Sequence, residues 1–247
     1  MKLKFAAIAA NPKKPQAAKL VPKIASLLKK HGVAKAPAGN LRAKAGHILI
    51  TVGGDGTILY NKSKFHLPIF AIGSESSFIC QARFGNWKAK LGQIIRHGFM
   101  VEKRAMLSAT LDGKKLPDAL NEFVVRTREH RVIRLHLKYG KKSSSFRADG
   151  LIFSTATGSR AYAYSAGGKE MPNLSKNYQI VPICPYRREF SPKTVSPATK
   201  CNAKIEPYCR ADVVSDGQFL YPVDKQSVLK VWVSKKKMEF VKLARKK

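Results

Sequence analysis

The chain is short of acid. Its 247 residues carry 15 Asp and Glu against 47 Lys and Arg, a net charge of +32. A surplus that large attracts polyanions such as nucleic acid, polyphosphate, nucleotides or an anionic membrane, and it does not specify a fold. Lysine is spread along the chain, with short clusters at Lys141-Lys142, Lys235-Lys236-Lys237 and Arg245-Lys246-Lys247. There is no single basic stripe of the kind nucleic-acid proteins use, and no zinc-finger spacing, RNP-type aromatic motif or heptad region. Cysteine is scarce: Cys80, Cys184, Cys201 and Cys209, none in a CxxC pair, which argues against a zinc ribbon or redox dithiol. The four read as reduced thiols of a cytosolic protein, because a chain this long needs no disulfide staples. No segment offers the ~20 apolar residues that would span a bilayer. The apolar run that opens the chain is short and meets Asn11-Pro12-Lys13-Lys14 at once, so it reads as a strand and turn rather than a signal peptide. Two nucleotide signatures are also missing. Gly168-Lys169 is followed by Glu170, not Ser or Thr, and no G-x-G-x-x-G follows the first strand. A P-loop NTPase and a standard dinucleotide fold are thereby set aside.

What is present is globular: 44% apolar and 25% charged residues. The first part alternates strand and helix patterns. Residues 3–10 read as a strand. Pro15–Lys30 reads as a helix with Leu20, Ile24, Leu27 and Leu28 on one face and Gly32 past its end; Pro22 either kinks it or delays its start. Residues 47–52 and 67–72 read as further strands, and Trp87, Leu91, Ile94 and Ile95 mark an amphipathic helix closed by Gly98. This alternation implies a parallel sheet with crossover connections. Beyond residue 98 the pattern is all strand: 103–111, 119–127, 131–139, 151–154, 179–183, 203–206, 212–215 and 227–233. An Asp112-Gly113 turn follows the first of these, and 141–145 and 190–200 read as loops. The fold class expected is an α/β domain with a parallel sheet over 1–98, then an all-β, sandwich-like domain over 99–247, with the last segment returning to the first domain.

The sharpest local feature is Gly53-Gly54-Asp55-Gly56-Thr57, between an apolar strand and a helical pattern. Glycines let backbone approach a ligand closely and take positive φ. Successive amides at a strand's carboxyl end then make an anion site. A carboxylate there opposes a phosphate unless it has a task. Asp55 could orient or deprotonate an attacking hydroxyl, or hold Mg²⁺. Two further segments stand out: Leu120-Asn121-Glu122-Phe123 in an apolar strand, and the hydroxyl- and glycine-rich run from Asp149-Gly150 through Thr157-Gly158-Ser159-Arg160-Ala161-Tyr162 to Ser165 and Gly167-Gly168.

In order and spacing these segments closely resemble the NAD kinase family, whose GGDGT loop, Asn-Glu pair and DG-x-x-x-STPTGSTAY-x-x-S-x-GG segment they match. Ser215-Asp216-Gly217-Gln218 resembles the family's late DGQ turn. The resemblance implies transfer of the γ-phosphoryl of ATP, or of another donor, to the 2′-hydroxyl of NAD's adenosine ribose, giving NADP. It implies that Gly53, Gly54, Gly56 and Thr57 cradle phosphate, and that Asp55 holds the 2′-hydroxyl and acts as base or helps place the metal. Asn121 and Glu122 would hydrogen-bond ribose or adenine groups. Thr157, Ser159, Ala161 and Tyr162 would line the NAD pocket, with Arg160 among them, and Asp149 and Ser165 would sit near the nicotinamide. Mg²⁺, or another divalent cation, is expected with ATP, with no protein metal ligand assigned. A homodimer or homotetramer in the cytoplasm is expected, with nonspecific polyanion binding through the basic surface.

The sequence departs from the family pattern at Ala156, where Pro is usual, at Arg160, where Thr is usual, and at Lys169, where Pro is common. Residues 73–79 follow the family's loop after the third strand only loosely. The Arg160 guanidinium either contacts a phosphate or points to solvent. Two rivals remain: a lipid kinase sharing GGDGT, and a basic polyanion-binding module on a kinase-like scaffold. The first would place its Asn-Glu pair almost at once after the loop, where this chain has Ile58-Leu59-Tyr60-Asn61.

Overall fold

A computed structural model of the chain describes residues 1–36, 44–62, 66–224 and 226–244. The basic cluster Arg245-Lys246-Lys247 lies outside the described residues. The chain forms two compact units, Met1–Lys103 with Met238–Lys247, and Arg104–Lys237.

The first unit runs β1 (Phe5–Ala10), α1 (Pro15–Lys30), β2 (Ala34–Ala36), β3 (His47–Val52), α2 (Asp55–Asn61), β4 (Ile69–Gly73), β5 (Ala82–Arg83), α3 (Trp87–His97) and the start of β6 (Phe99–Leu111). Its sheet is parallel, in the order β2-β1-β3-β4, with β5 beside β4. The returning segment sets Phe240 in parallel register with Ile69. β3 is buried from Ile48 to Val52, so successive side chains on both faces of the strand are covered, as is usual in a parallel sheet. Ile24 and Leu28 of α1, Leu91 and Ile94 of α3, and Ile48, Ile50 and Ile72 of the sheet form one core. Helix α1 starts at Pro15 and continues through the exposed Pro22, so Pro22 does not delay its start. Proline suits the first helical turn, where its missing N–H has no partner to lose.

The second unit holds β7 (Lys114–Lys115), β8 (Glu122–Thr127), β9 (Ile133–Tyr139), β10 (Lys142–Ala148), β11 (Gly150–Ser154), the short helix α4 (Tyr162–Ser165), β12 (Tyr178–Ile183), β13 (Lys193–Val195), β14 (Cys201–Glu206), β15 (Ala211–Ser215), β16 (Phe219–Val223) and the first part of β17 (Val228–Leu243). One antiparallel set is β10-β9-β14-β17 and the other is β13-β12-β11-β8-β15-β16. Leu135, Leu137, Phe146, Ala203 and Leu229 of the first set pack against Phe123, Val125, Phe153, Ile180 and Val213 of the second. That is the sandwich-like core expected. The alternation read in β9 holds, with Ile133, Leu135 and Leu137 inward and Arg134 and Lys138 outward.

Two expected loops are partly strand. Residues 142–148 form β10, which pairs with β9 so that Lys142 faces Tyr139 across Gly140 and Lys141. Its serine run has little strand preference of its own, and the edge pairing carries it while Phe146 and Ala148 enter the core. Lys193–Val195 is likewise a short edge strand on β12. Among the described residues no helix is long and apolar enough to cross a membrane.

Candidate functional site

In the first unit the phosphate-type loop leaves β3 through Gly53 (φ 145°) and Gly54 (φ 108°), backbone conformations that side-chain-bearing residues rarely adopt. A β-carbon on Gly53 would stand 2.5 Å from Thr57 Oγ1 and 2.7 Å from Asn11 Cβ, so the loop is packed as well as twisted. Thr57 is buried, and its hydroxyl makes no hydrogen bond among the described residues. Asp55, half-buried at the start of α2, does not face an empty loop. Its Oδ2 accepts from the Phe78 amide at 2.7 Å, and its Oδ1 accepts from the Ile79 amide at 3.1 Å and the Cys80 thiol at 3.4 Å. Burial, with the Asp55 carboxylate adding, pushes the Cys80 thiol up to about 12.

Two contributors escaped the sequence reading. One is the 77–80 turn that holds Asp55, where the departure of residues 73–79 from the family pattern was the only signal. The other is Lys14, read only as part of a turn. Its ammonium lies 3.6 Å from where a Gly54 β-carbon would stand, so a cation sits on the glycine loop.

In the second unit the motifs are joined by Asp216. This buried residue takes φ 51° and accepts three amides: Leu120 at 2.8 Å on Oδ2, and Asn121 at 2.7 Å and Glu122 at 3.0 Å on Oδ1. Its own amide donates to the Glu122 carbonyl at 2.9 Å. The serine- and threonine-rich segment closes against the same stretch. Thr155 donates its hydroxyl to the Leu120 carbonyl at 2.6 Å and its amide to the Asn121 carbonyl at 2.8 Å. A β-carbon on Gly158 would stand 2.7 Å from the Asn121 carbonyl carbon, so only glycine lets the turn come this near.

The result is a set of buried polar atoms with no hydrogen bond among the described residues: Asn121 Oδ1, Glu122 Oε2 and Thr157 Oγ1. Burial, reinforced by the Asp216 carboxylate, pushes the Glu122 carboxyl up to about 8. At neutral pH it keeps its proton and offers both a donor and an acceptor.

The other expected residues fall into different situations. Ser159 is fully buried and its hydroxyl is used within the chain, donating to the Ala156 carbonyl at 2.8 Å and accepting from the Met171 amide at 2.9 Å. The Arg160 guanidinium is exposed enough to reach solvent but pairs with Glu170. Tyr162, next to the half-buried Ala161, packs against the cluster of Val124, Ile152, Ala163, Val181 and Ile183, with the Arg126 guanidinium 6.0 Å from its ring centre. Ser165 is exposed at the end of α4, and Asp149 is half-buried between β10 and β11.

A family model described as the ATP-NAD kinase C-terminal domain matches residues 120–243. The NAD kinase of Methanoculleus marisnigri is 33% identical over 204 residues, covering 79% of this chain and 74% of that protein. Among solved structures, an NAD kinase from Archaeoglobus fulgidus in complex with ATP superposes with a TM-score of 0.80 at 28% identity, covering 97% of this chain and 94% of that one. A yeast NADH kinase complexed with NADH has a TM-score of 0.82 at 18% identity, covering 100% and 84%, and shows the shared fold. On the family model and the extent of these identities, the chain belongs to the NAD kinase family.

Proposed function

We propose that this chain transfers the γ-phosphoryl of ATP to the 2′-hydroxyl of the adenosine ribose of NAD. The observation that carries the reading is the trio of buried, unsatisfied polar atoms on Asn121, Glu122 and Thr157. Leaving such atoms unpaired costs ~1–3 kcal/mol each, which a hydroxyl- and amide-bearing ligand recovers on binding. A nucleoside's ribose hydroxyls and base edge are such a ligand. In the same reading Gly53, Gly54, Gly56 and Thr57 cradle phosphate, with Lys14 adding charge. The second unit serves as the NAD-binding domain, with Asp149, Ser159, Arg160, Ala161, Tyr162 and Ser165 around the dinucleotide.

Asp55 takes the 2′-hydroxyl proton as that oxygen bonds the γ-phosphorus. The bond to the β,γ-bridging oxygen breaks, ADP leaves with the electron pair, and Asp55 returns its proton to solvent. Phosphoryl transfer asks chiefly for alignment and charge neutralisation. A divalent cation, Mg²⁺ by preference, suits this donor set. No group of three or more His, Cys, Asp or Glu among the described residues could cage a metal. Mg²⁺ typically rides on substrate phosphates with one or two carboxylates, a part Asp55 can play. When bound, it neutralises charge developing on the triphosphate. We assign the chain to the cytoplasm and to a homodimer or homotetramer by its family, with nonspecific polyanion binding as a consequence of +32.

The test incubates the protein with NAD, ATP and Mg²⁺ and detects NADP with an NADP-specific dehydrogenase. Asp55→Asn should keep NAD affinity, measured by calorimetry, and lose ~10²-fold or more in turnover, the scale of an acid–base group. Turnover at the wild-type rate in that variant removes Asp55 from the role. Absence of NADP with every phosphoryl donor tried, alongside no NAD binding, overturns the reading itself.

A further inference from the structure

We infer that Arg83 is a positioning residue for the reaction, fixing the Asp55 carboxylate through a single peptide group; this rests on the reading that Asp55 takes the hydroxyl proton.

The Asp55 side chain finds its partners in the turn between β4 and β5, not in its own loop. The shortest of them is the Phe78 amide, 2.7 Å from Oδ2. That N–H belongs to the peptide unit whose carbonyl is Ser77 C=O. In a trans peptide the two groups point in opposite directions. On the far side, Arg83 Nη2 donates to the Ser77 oxygen at 2.7 Å. A cation and an anion thus grip one peptide from its two ends, and each hydrogen bond polarises the group toward the other.

The second arm of the same guanidinium, Nη1, donates to the Cys80 carbonyl at 2.8 Å. Cys80 is also the residue whose thiol donates to Asp55 Oδ1. The fork therefore brackets the amides that hold the carboxylate. A lysine, with one compact ammonium, could not span both carbonyls in this way.

Arg83 is itself well anchored. Its amide donates to Asn86 Oδ1 at 2.8 Å, and its carbonyl accepts from the Asn86 amide at 3.1 Å at the start of α3. As part of β5 it pairs in register with Gly73. A β-carbon at Gly73 would stand 2.7 Å from Cys80 Sγ and 3.0 Å from Gly54 Cα, so the turn is pressed onto the glycine loop. Among the described residues no carboxylate pairs with Arg83, and its guanidinium goes to two backbone carbonyls. In a chain with 47 basic residues, this one has its fork turned inward.

The experiment is a double-mutant cycle on the full chain. Arg83→Met should lower kcat ~10- to 100-fold, the scale of a catalytic group displaced by an ångström, and leave the NAD KM unchanged. In the Asp55→Asn background the same change should cost nothing further, because its route to the reaction is already gone. Arg83→Lys should fall between, and it carries the cycle if Arg83→Met does not fold. A second readout needs no turnover: the Phe78 amide proton should resonate downfield in wild type, as expected of a short bond to a carboxylate, and move upfield in Arg83→Met and in Asp55→Asn. Equal fold-losses in both backgrounds, wild-type kcat in Arg83→Met, or an unmoved Phe78 resonance overturns the inference. A wild-type chain that makes no NADP overturns the proposed activity instead, while the Phe78 resonance still decides whether Arg83 sets the carboxylate.

Discussion

The protonated state of Glu122 can be tested through stability. Its carboxyl is pushed from 4.5 up to about 8, first by burial and then by the Asp216 carboxylate. The sign follows from linkage. Between those two values the unfolded chain has released the proton and the folded chain still holds it. Each pH unit across that window then lowers unfolding free energy by ~1.4 kcal/mol. The contribution is whole below about 4.5 and is lost as pH rises through about 8. Glu122→Gln keeps the shape and has no proton to lose. Its stability advantage over wild type should therefore widen from pH 5 to pH 8. The assay is urea unfolding at unit steps of pH in a Trp87→Phe background, which leaves Trp232 to report on the second unit. Parallel stability–pH curves for wild type and Glu122→Gln would mean that Glu122 is ionised when folded. The donor assigned to it in NAD binding would then be withdrawn.

Three other outcomes follow from specific contacts. Gly158→Ala puts a β-carbon against the Asn121 backbone and should abolish NAD binding by calorimetry, with a lower melting temperature. Asp112→Ala should keep NADP production at the wild-type rate while costing ~1 kcal/mol in urea unfolding, since it removes the Oδ1 that accepts the Val228 amide at 2.6 Å. Iodoacetamide at pH 7.5, read by peptide mass spectrometry, should label the exposed Cys184 well before Cys80, whose buried thiol is pushed up to about 12.

Features carried by short-range pattern could be read from the sequence. The fully apolar β3 with its glycine exit, the alternation of β9 and the amphipathic α3 each follow from neighbours a few positions apart. What stayed hidden depends on distant chain. The serine-rich β10 becomes a strand because β9 offers an edge. β17 was expected to end at 233 and runs to Leu243, because Ser234 and Met238 turn inward on either side of the exposed Lys235-Lys236-Lys237 and Phe240 finds Ile69. The clamp on Asp55 joins residues more than 20 apart, and the three amides on Asp216 lie about 95 positions from it. The sequence marked the Asn-Glu pair and the DGQ turn as separate motifs. Only the fold shows one holding the other.

The scarcity of acid sharpens this point. Solvent-exposed ion pairs add little to stability, so a chain can shed most of its surface carboxylates at small cost. Carboxylates that bind amides or sit buried are harder to lose. Asp216 holds three amides, Asp55 two amides and a thiol, and Asp118 the hydroxyls of Ser108 and Ser234. Asp212, nearly buried, is gripped by the fork of Arg128. Glu122 is buried, and burial pushes its carboxyl up to about 8. Among the described residues most lysines and arginines meanwhile reach solvent, where their field falls off within ~10 Å at 0.1 M salt. Such a field draws in triphosphates and dinucleotides without choosing among them. On the proposed reading, selection is left to the few carboxylates and hydroxyls whose places the backbone fixes. On that reading the net charge bears on how substrate arrives, and the specificity falls to Asp55 and Glu122 among the 15 acids.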